Sequence, residues 1–239
     1  MMDLAFEQFP ALSAIEICRH VFAQRIPGVD VSHDKAEVLN RLEAVHGEIR
    51  NAIGIGDWPV FTAQQVHGNQ IAIVGEVGSA LPADRGRSGP DWHSGAASLP
   101  GREFPGCDGI ITNQRGVALG IYVADCCAVY VVDPKTPAIG LVHSGRKGTE
   151  LGVVTNALNQ MIERFGSNPD EMIVQLSPCI RPPQYEVDFA AEIIRQCRAL
   201  GVKQIHDSGV CTACDLARYY SYRAEKGKTG RMLALLGIT

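Results

Sequence analysis

Across its 239 residues the chain has no eighteen-residue apolar stretch free of charges or breaks, which argues against a helical membrane span. It has little basic charge to spare. Lys and Arg number 22 against 26 Asp and Glu, a net charge of −4, whereas a general nucleic-acid binder shows a clearly basic domain. The opening MMDLAFEQFPAL carries an early acid and no apolar h-region, so no secretory signal is read there. Without such a signal, the eight cysteines do not read as a disulfide framework; a reduced, cytoplasmic chain with mostly buried cysteines is expected. Several metal signatures are missing too. No His-x-His pair occurs, and none of Met1, Met2, Met161, Met172 and Met232 is near Cys126 or His143 in sequence, as a blue-copper site would want. Pro178-Cys179 lacks the second cysteine of the nucleobase-deaminase signature. Cys211-Thr-Ala-Cys214 has no partner pair at zinc-finger spacing and reads as buried structure.

What is present is a buried, strand-rich middle. Apolar runs at about 117–123, 128–132 and 138–143 show little polar alternation, as strands buried on both faces do. Residues 70–74, 109–112 and 173–176 read as shorter strands. Helical spacing appears over 34–49, 148–165 and 188–200. Between 75 and 106, eleven of thirty-two residues are Gly or Pro, which predicts a long inserted loop rather than a domain boundary.

The reactive residues stand where these runs break. Cys126 follows Asp125 at the end of the first run, and His143 closes the third. His67 lies in QQVHGNQ, just before a strand. Both histidines have a glycine within two residues, which lets the backbone turn sharply and a ligand come close. The other histidines stand in exposed or weakly patterned segments (His33, His46, His93), before a short apolar patch (His20) or near a strand end (His206). By spacing alone three readings stay open: a Cys126–His143 nucleophile and base, a three-ligand metal site with an open fourth position, or buried packing. Cys127 points to the other strand face and is expected only to pack. Arg146 and Lys147 after His143, Arg181 in a Pro-stiffened turn, and Arg223 with Lys228 and Arg231 near Gly230 suit an anion such as phosphate, or are ordinary surface charges.

Taken together, QVHG (65–68), DGIIT (108–112), ADC (124–126), VHSG-x-x-GT (142–149), SPCIRPPQYEV (177–187) and CTACD-x5-SYR-x5-TGR (211–231) carry a resemblance, with HVFAQR (20–25) a looser match. They resemble the laccase-domain, or polyphenol oxidase-like, family of purine nucleoside phosphorylase-type zinc enzymes. The resemblance implies an α+β fold: a single domain over residues 1–239, with mixed, sandwich-like β-sheets and flanking helices, similar to the toxin-type cysteine hydrolase fold. It implies zinc, rather than copper, held by His67, Cys126 and His143. It implies phosphorolysis of adenosine, inosine, guanosine and methylthioadenosine, with deamination of adenosine. Asp125, Cys126 and His143 are then the catalytic candidates, and Arg146, Lys147, Arg181 and Arg223 the candidates for substrate and phosphate. The implied partners are a nucleoside and phosphate, with neither nucleic acid nor membrane; the oligomeric state stays open.

The chain departs from that pattern in the long insertion at 75–106 and at three further places. Arg146-Lys147 stands where the family has Trp-Arg, Cys127-Ala128 replaces x-Pro after ADC, and Ser177 replaces a Gly. These changes leave the metal donors intact and bear on substrate and activity. Rival readings are a metal-free cysteine hydrolase using Cys126 and His143, a non-catalytic zinc-stabilised binding protein, and a copper-dependent polyphenol oxidase, which the low histidine count disfavours.

Overall fold

The structure is a computed structural model and describes residues 4–75 and 103–239. Most of the Gly/Pro-rich loop expected over 75–106 lies outside the described residues, as does His93. Two mixed six-stranded sheets pack face to face. The first runs in the order β1 (Phe6–Glu7), β2 (Cys18–Ala23), β12 (Met232–Ile238), β7 (Ala118–Val123), β3 (Val60–Ala63), β5 (Glu103–Phe104). The second runs β11 (Gln204–Asp207), β10 (Ile173–Leu176), β8 (Cys127–Asp133), β9 (Ala138–Ser144), β6 (Gly109–Thr112), β4 (Ile71–Val74). Five α-helices complete the described residues: α1 (Pro10–Ser13), α2 (Lys35–Ala52), α3 (Arg146–Glu150), α4 (Val153–Phe165) and α5 (Phe189–Ala199). None is long and apolar enough to cross a membrane.

The expected both-faces burial of the central runs has a simple cause. Strand side chains alternate between faces, and here each face has its own core. On β8, Ala128, Tyr130 and Val132 enter the core between the sheets, while Cys127, Val129 and Val131 pack beneath α4 and α5. On β7, Leu119, Ile121 and Val123 face the inter-sheet core, and Ala118 faces outward with Val38, Leu42 and Ile49 of α2. The layers are therefore helix, sheet, sheet, helix. Cys127 is fully buried under the helices and packs as expected.

Helix ends follow from local chemistry. Asp34 caps α2 by accepting from the backbone N–H groups of Ala36 (3.0 Å) and Glu37 (3.1 Å). The single helix expected over 148–165 is instead two, α3 and α4. Gly152 between them takes φ 71°, a left-handed conformation that interrupts the helical hydrogen-bond ladder and that glycine adopts without a Cβ penalty. Three further expectations need correction. Glu103–Phe104, inside the expected loop, pairs in parallel with β3. His46 is 1% exposed, packed beside Tyr122 with neither ring nitrogen hydrogen-bonded. Cys214 is exposed and Cys211 only half-buried, so the 211–214 segment is not simply core.

Candidate metal centre

The donor residues come from three different breaks in the sheets. β3 of the first sheet runs into the loop that holds His67, and that loop crosses to β4 of the second. Cys126 sits where the chain crosses from β7 of the first sheet to β8 of the second. His143 lies near the end of β9, opposite Ala128 in the β8–β9 register. Cys127 pairs with Ser144, so Cys126 falls level with Gly145. A Cβ on Gly145 would meet the Cys126 Sγ at 2.5 Å. Only glycine leaves room for the sulfur there.

One ring nitrogen from each histidine and the Cys126 Sγ lie within 4.8 Å of one another, the one such group of three or more donors among the described residues. The Cys126 Sγ stands 3.8 Å from His67 Nε2, and the two imidazoles meet edge-on at 4.8 Å between centroids. Tetrahedral zinc with these ligands wants donor atoms roughly 3.3–3.6 Å apart, so the set fits with a modest contraction. Two imidazoles and a thiolate on one side of an open cavity would leave the fourth position of a tetrahedral ion open to that cavity.

The residue that positions the two histidines is Asp108, fully buried just before β6. Its Oδ1 accepts from His67 N (2.8 Å) and lies 2.8 Å from His143 Nδ1. Its Oδ2 accepts from Gly68 N (2.7 Å) and Val66 N (3.2 Å), and its carbonyl accepts from His143 N (2.7 Å). The contact to Nδ1 fixes the His143 ring and leaves Nε2 to face the cavity, the carboxylate–histidine pairing common behind metal ligands. Burial tends to raise the Asp108 pKa, but the His143 and Gly68 contacts outweigh it and hold it below the usual carboxylate range. DGIIT was visible as a motif in the sequence; that its aspartate would gather both histidines was not.

The backbone is strained at the same place. Gln65 (φ 63°), His67 (φ 59°) and Asp125 (φ 85°) all hold left-handed conformations unusual for non-glycine residues. Gln65 clamps the loop to β7: its Nε2 donates to the Tyr122 carbonyl at 2.5 Å and its Oε1 accepts from Tyr122 N at 3.0 Å. Among the protein's own groups, burial would raise the Cys126 thiol, yet His143 and His67 bring it down to about 6. Burial likewise depresses His143, but Cys126 and Asp108 lift it to about 9. The site therefore favours a thiolate, the form a metal binds.

A cavity of about 680 Å³ opens over the three donors. Of the anion candidates, Arg146, Arg223 and Arg231 line it; Lys147, Arg181 and Lys228 do not. Arg181 pairs with Asp207 and donates to the Val210 carbonyl, which ties two loops together. Lys226 and Arg231 line the cavity, and Tyr185, Phe189 and Tyr222 give it aromatic surface. Glu186 bridges the two arginines at the rim, 3.0 Å from Arg223 and 3.6 Å from Arg146. Asp125 also lines the cavity, with both oxygens engaged: Oδ1 accepts from Thr212 Oγ1 (2.8 Å) and Oδ2 from Arg223 N (2.7 Å).

A family model described as multi-copper polyphenol oxidoreductase laccase matches residues 19–192 and 187–239. Purine nucleoside phosphorylase YlmD of Bacillus subtilis is 29% identical over 86% of this chain and 79% of its own length. The protein of the same name from Geobacillus stearothermophilus is 28% identical over 90% of this chain and 84% of its own. The crystal structure of YlmD from Geobacillus stearothermophilus superposes with a TM-score of 0.71 at 24% identity, covering 98% of this chain and 99% of that one, which shows the same fold. The match of the family model to nearly the whole chain places this protein in the multi-copper polyphenol oxidoreductase laccase family.

Proposed function

We propose that this chain is a zinc-dependent purine nucleoside phosphorylase acting on adenosine, inosine, guanosine and methylthioadenosine, with adenosine deaminase activity, in one domain spanning residues 1–239. The carrying observation is the convergence of His67, Cys126 and His143 under an aromatic- and arginine-lined cavity. Relatives named purine nucleoside phosphorylase supply the reaction class.

The family description names copper, but the donor set favours zinc. A multicopper centre needs many more histidines than this one three-residue group among the described residues offers. No methionine lines the cavity to act as the weak axial ligand of a blue-copper site. Held by His67, Cys126 and His143, zinc would supply Lewis acidity at this wall of the cavity.

The chain's own residues do the rest. Arg223 and Arg146 bind phosphate, and fork-shaped guanidinium groups suit its oxygens. Lys226 and Arg231 add positive charge to the same wall. Tyr185, Phe189 and Tyr222 offer faces for the purine. Asp125 holds the Arg223 backbone and so sets where that guanidinium reaches. Asp108 keeps His143 in the tautomer that presents Nε2.

A second reading has its own observation. Cys126, His143 and Asp108 also form a thiolate–imidazolium–carboxylate line, with the thiol lowered to about 6, as in cysteine hydrolases. Against it stands His67, held in a strained left-handed conformation against the sulfur, for which a dyad has no use.

Metal analysis combined with an adenosine-plus-phosphate assay separates the two. The expected result is about one zinc per chain, release of free base that depends on phosphate, and loss of both zinc and activity in His67→Ala. Metal-stripped protein that turns over substrate at the untreated rate would overturn the zinc reading.

A further inference from the structure

The segment Cys211-Thr-Ala-Cys214 has no part in the metal centre, yet its geometry is unusual for two free cysteines. Residues Thr212–Cys214 form a single 3-10 helical turn after Cys211, and Cys214 N donates to the Cys211 carbonyl at 3.2 Å. In a 3-10 turn, side chains three residues apart eclipse, and their Cα atoms lie about 6 Å apart. That separation is within the range a disulfide spans. Cys214 is exposed to solvent and Cys211 is half-buried.

We infer that Cys211 and Cys214 form a reversible thiol–disulfide site, open to oxidation by a low-molecular-weight disulfide. The deprotonated, more accessible Cys214 sulfur attacks one sulfur of the small disulfide, its proton going to solvent. A Cys214 mixed disulfide forms, and the first small thiolate leaves with the electron pair of the broken bond. Cys211, deprotonated in turn, attacks the Cys214 sulfur and displaces the second thiolate. In balance, two protein thiols lose two electrons and two protons, one intramolecular disulfide forms, and one small disulfide is reduced to two thiols.

A second cysteine pair provides an internal contrast. Cys127, whose Sγ meets Ser177, and Cys179, on the strand-end turn beyond it, are both fully buried. Accessibility therefore separates a reactive pair from an inert one in the same molecule. The Cys211–Cys214 site also touches the metal centre indirectly. Thr212, between the two cysteines, donates to Asp125, the residue before Cys126. Closing the disulfide fixes the turn from which that hydrogen bond is made.

The test uses the intact, metal-loaded protein equilibrated across a series of oxidised-to-reduced glutathione ratios. Free thiols are then alkylated without reduction, and the peptides are mapped by mass. The expected result is a Cys211–Cys214 disulfide that forms as the ratio rises and is reversed by reduced glutathione, while Cys127 and Cys179 stay alkylatable only after unfolding. Cys211→Ser should instead accumulate a glutathione adduct on Cys214, because the resolving sulfur is gone. Two free thiols at 211 and 214 across the whole series, or a stable adduct on Cys214 of the unaltered chain, would overturn the inference. Neither outcome depends on whether the cavity is a phosphorylase site.

Discussion

His143 Nδ1 lies 2.8 Å from the Asp108 carboxylate, and the same carboxylate accepts the backbone N–H groups of the loop that presents His67. One buried side chain therefore sets the position of two of the three donors. Asp108→Ala is expected to weaken metal affinity by about 10–100-fold, the usual cost of losing such a support. Competition against a graded chelator reads this directly. Affinity equal to that of the unaltered protein would show that the histidines are held by other means.

Gly145 gives a steric test of the same centre. A methyl group there would sit 2.5 Å from the Cys126 sulfur, well inside contact distance. Gly145→Ala should displace the sulfur and lower zinc occupancy while leaving the secondary structure unchanged. Metal content and far-ultraviolet circular dichroism, measured on one sample, check both halves.

The cavity arginines and Arg181 should separate cleanly. Arg223→Ala is expected to raise the KM for phosphate by roughly 10–100-fold, the worth of a charge-assisted hydrogen bond. Glu186→Gln frees Arg223 and Arg146 from their bridge and should lower that KM. Arg181→Ala should leave it unchanged and lower the Tm instead, because Arg181 pairs with Asp207 away from the cavity. Initial rates against phosphate, with melting curves on the same variants, decide each case.

Acid stability follows from two buried histidines outside the centre. Burial holds His20 and His46 at about 4, against an ordinary value of 6.5. Both are neutral in the folded and unfolded chain at pH 7. As pH falls below about 6.5, the unfolded chain takes up protons that the folded chain refuses, so stability drops until about pH 4. Each histidine contributes up to about 3 kcal/mol to that loss. Neither ring nitrogen of His46 has a hydrogen-bond partner, so His46→Leu should raise the Tm and flatten its dependence between pH 7 and pH 5. A variant as acid-sensitive as the unaltered chain would refute this.

The sequence showed some of these features and hid others, for physical reasons. The strands β7, β8 and β9 were legible because burial on both faces leaves an unbroken apolar run. β11 was not: it is a largely exposed edge strand, Gln-Ile-His-Asp, with no apolar alternation to read. The break between α3 and α4 lay in one glycine whose left-handed conformation does not disturb the apolar stripe around it. His67, Cys126 and His143 stood out because each sits at a strand break. The roles of Asp108 and Gly145 were not legible, because one works through backbone N–H groups on a distant loop and the other makes room for the Cys126 sulfur through an absent Cβ. The pairing of Arg181 with Asp207 was not legible, because a Pro-stiffened turn says nothing about which carboxylate will meet the side chain.

His67 and Cys126 both lie on segments where the chain steps from one sheet to the other, and His143 belongs to the second sheet. An ion held by all three would therefore fasten the two layers of the sandwich together. The donors can meet only when both crossovers are closed, so a half-assembled chain offers it no complete nest. Binding energy at the centre becomes cohesion between the layers: a metal present at a thousand times its Kd would add about 4 kcal/mol to the folded state.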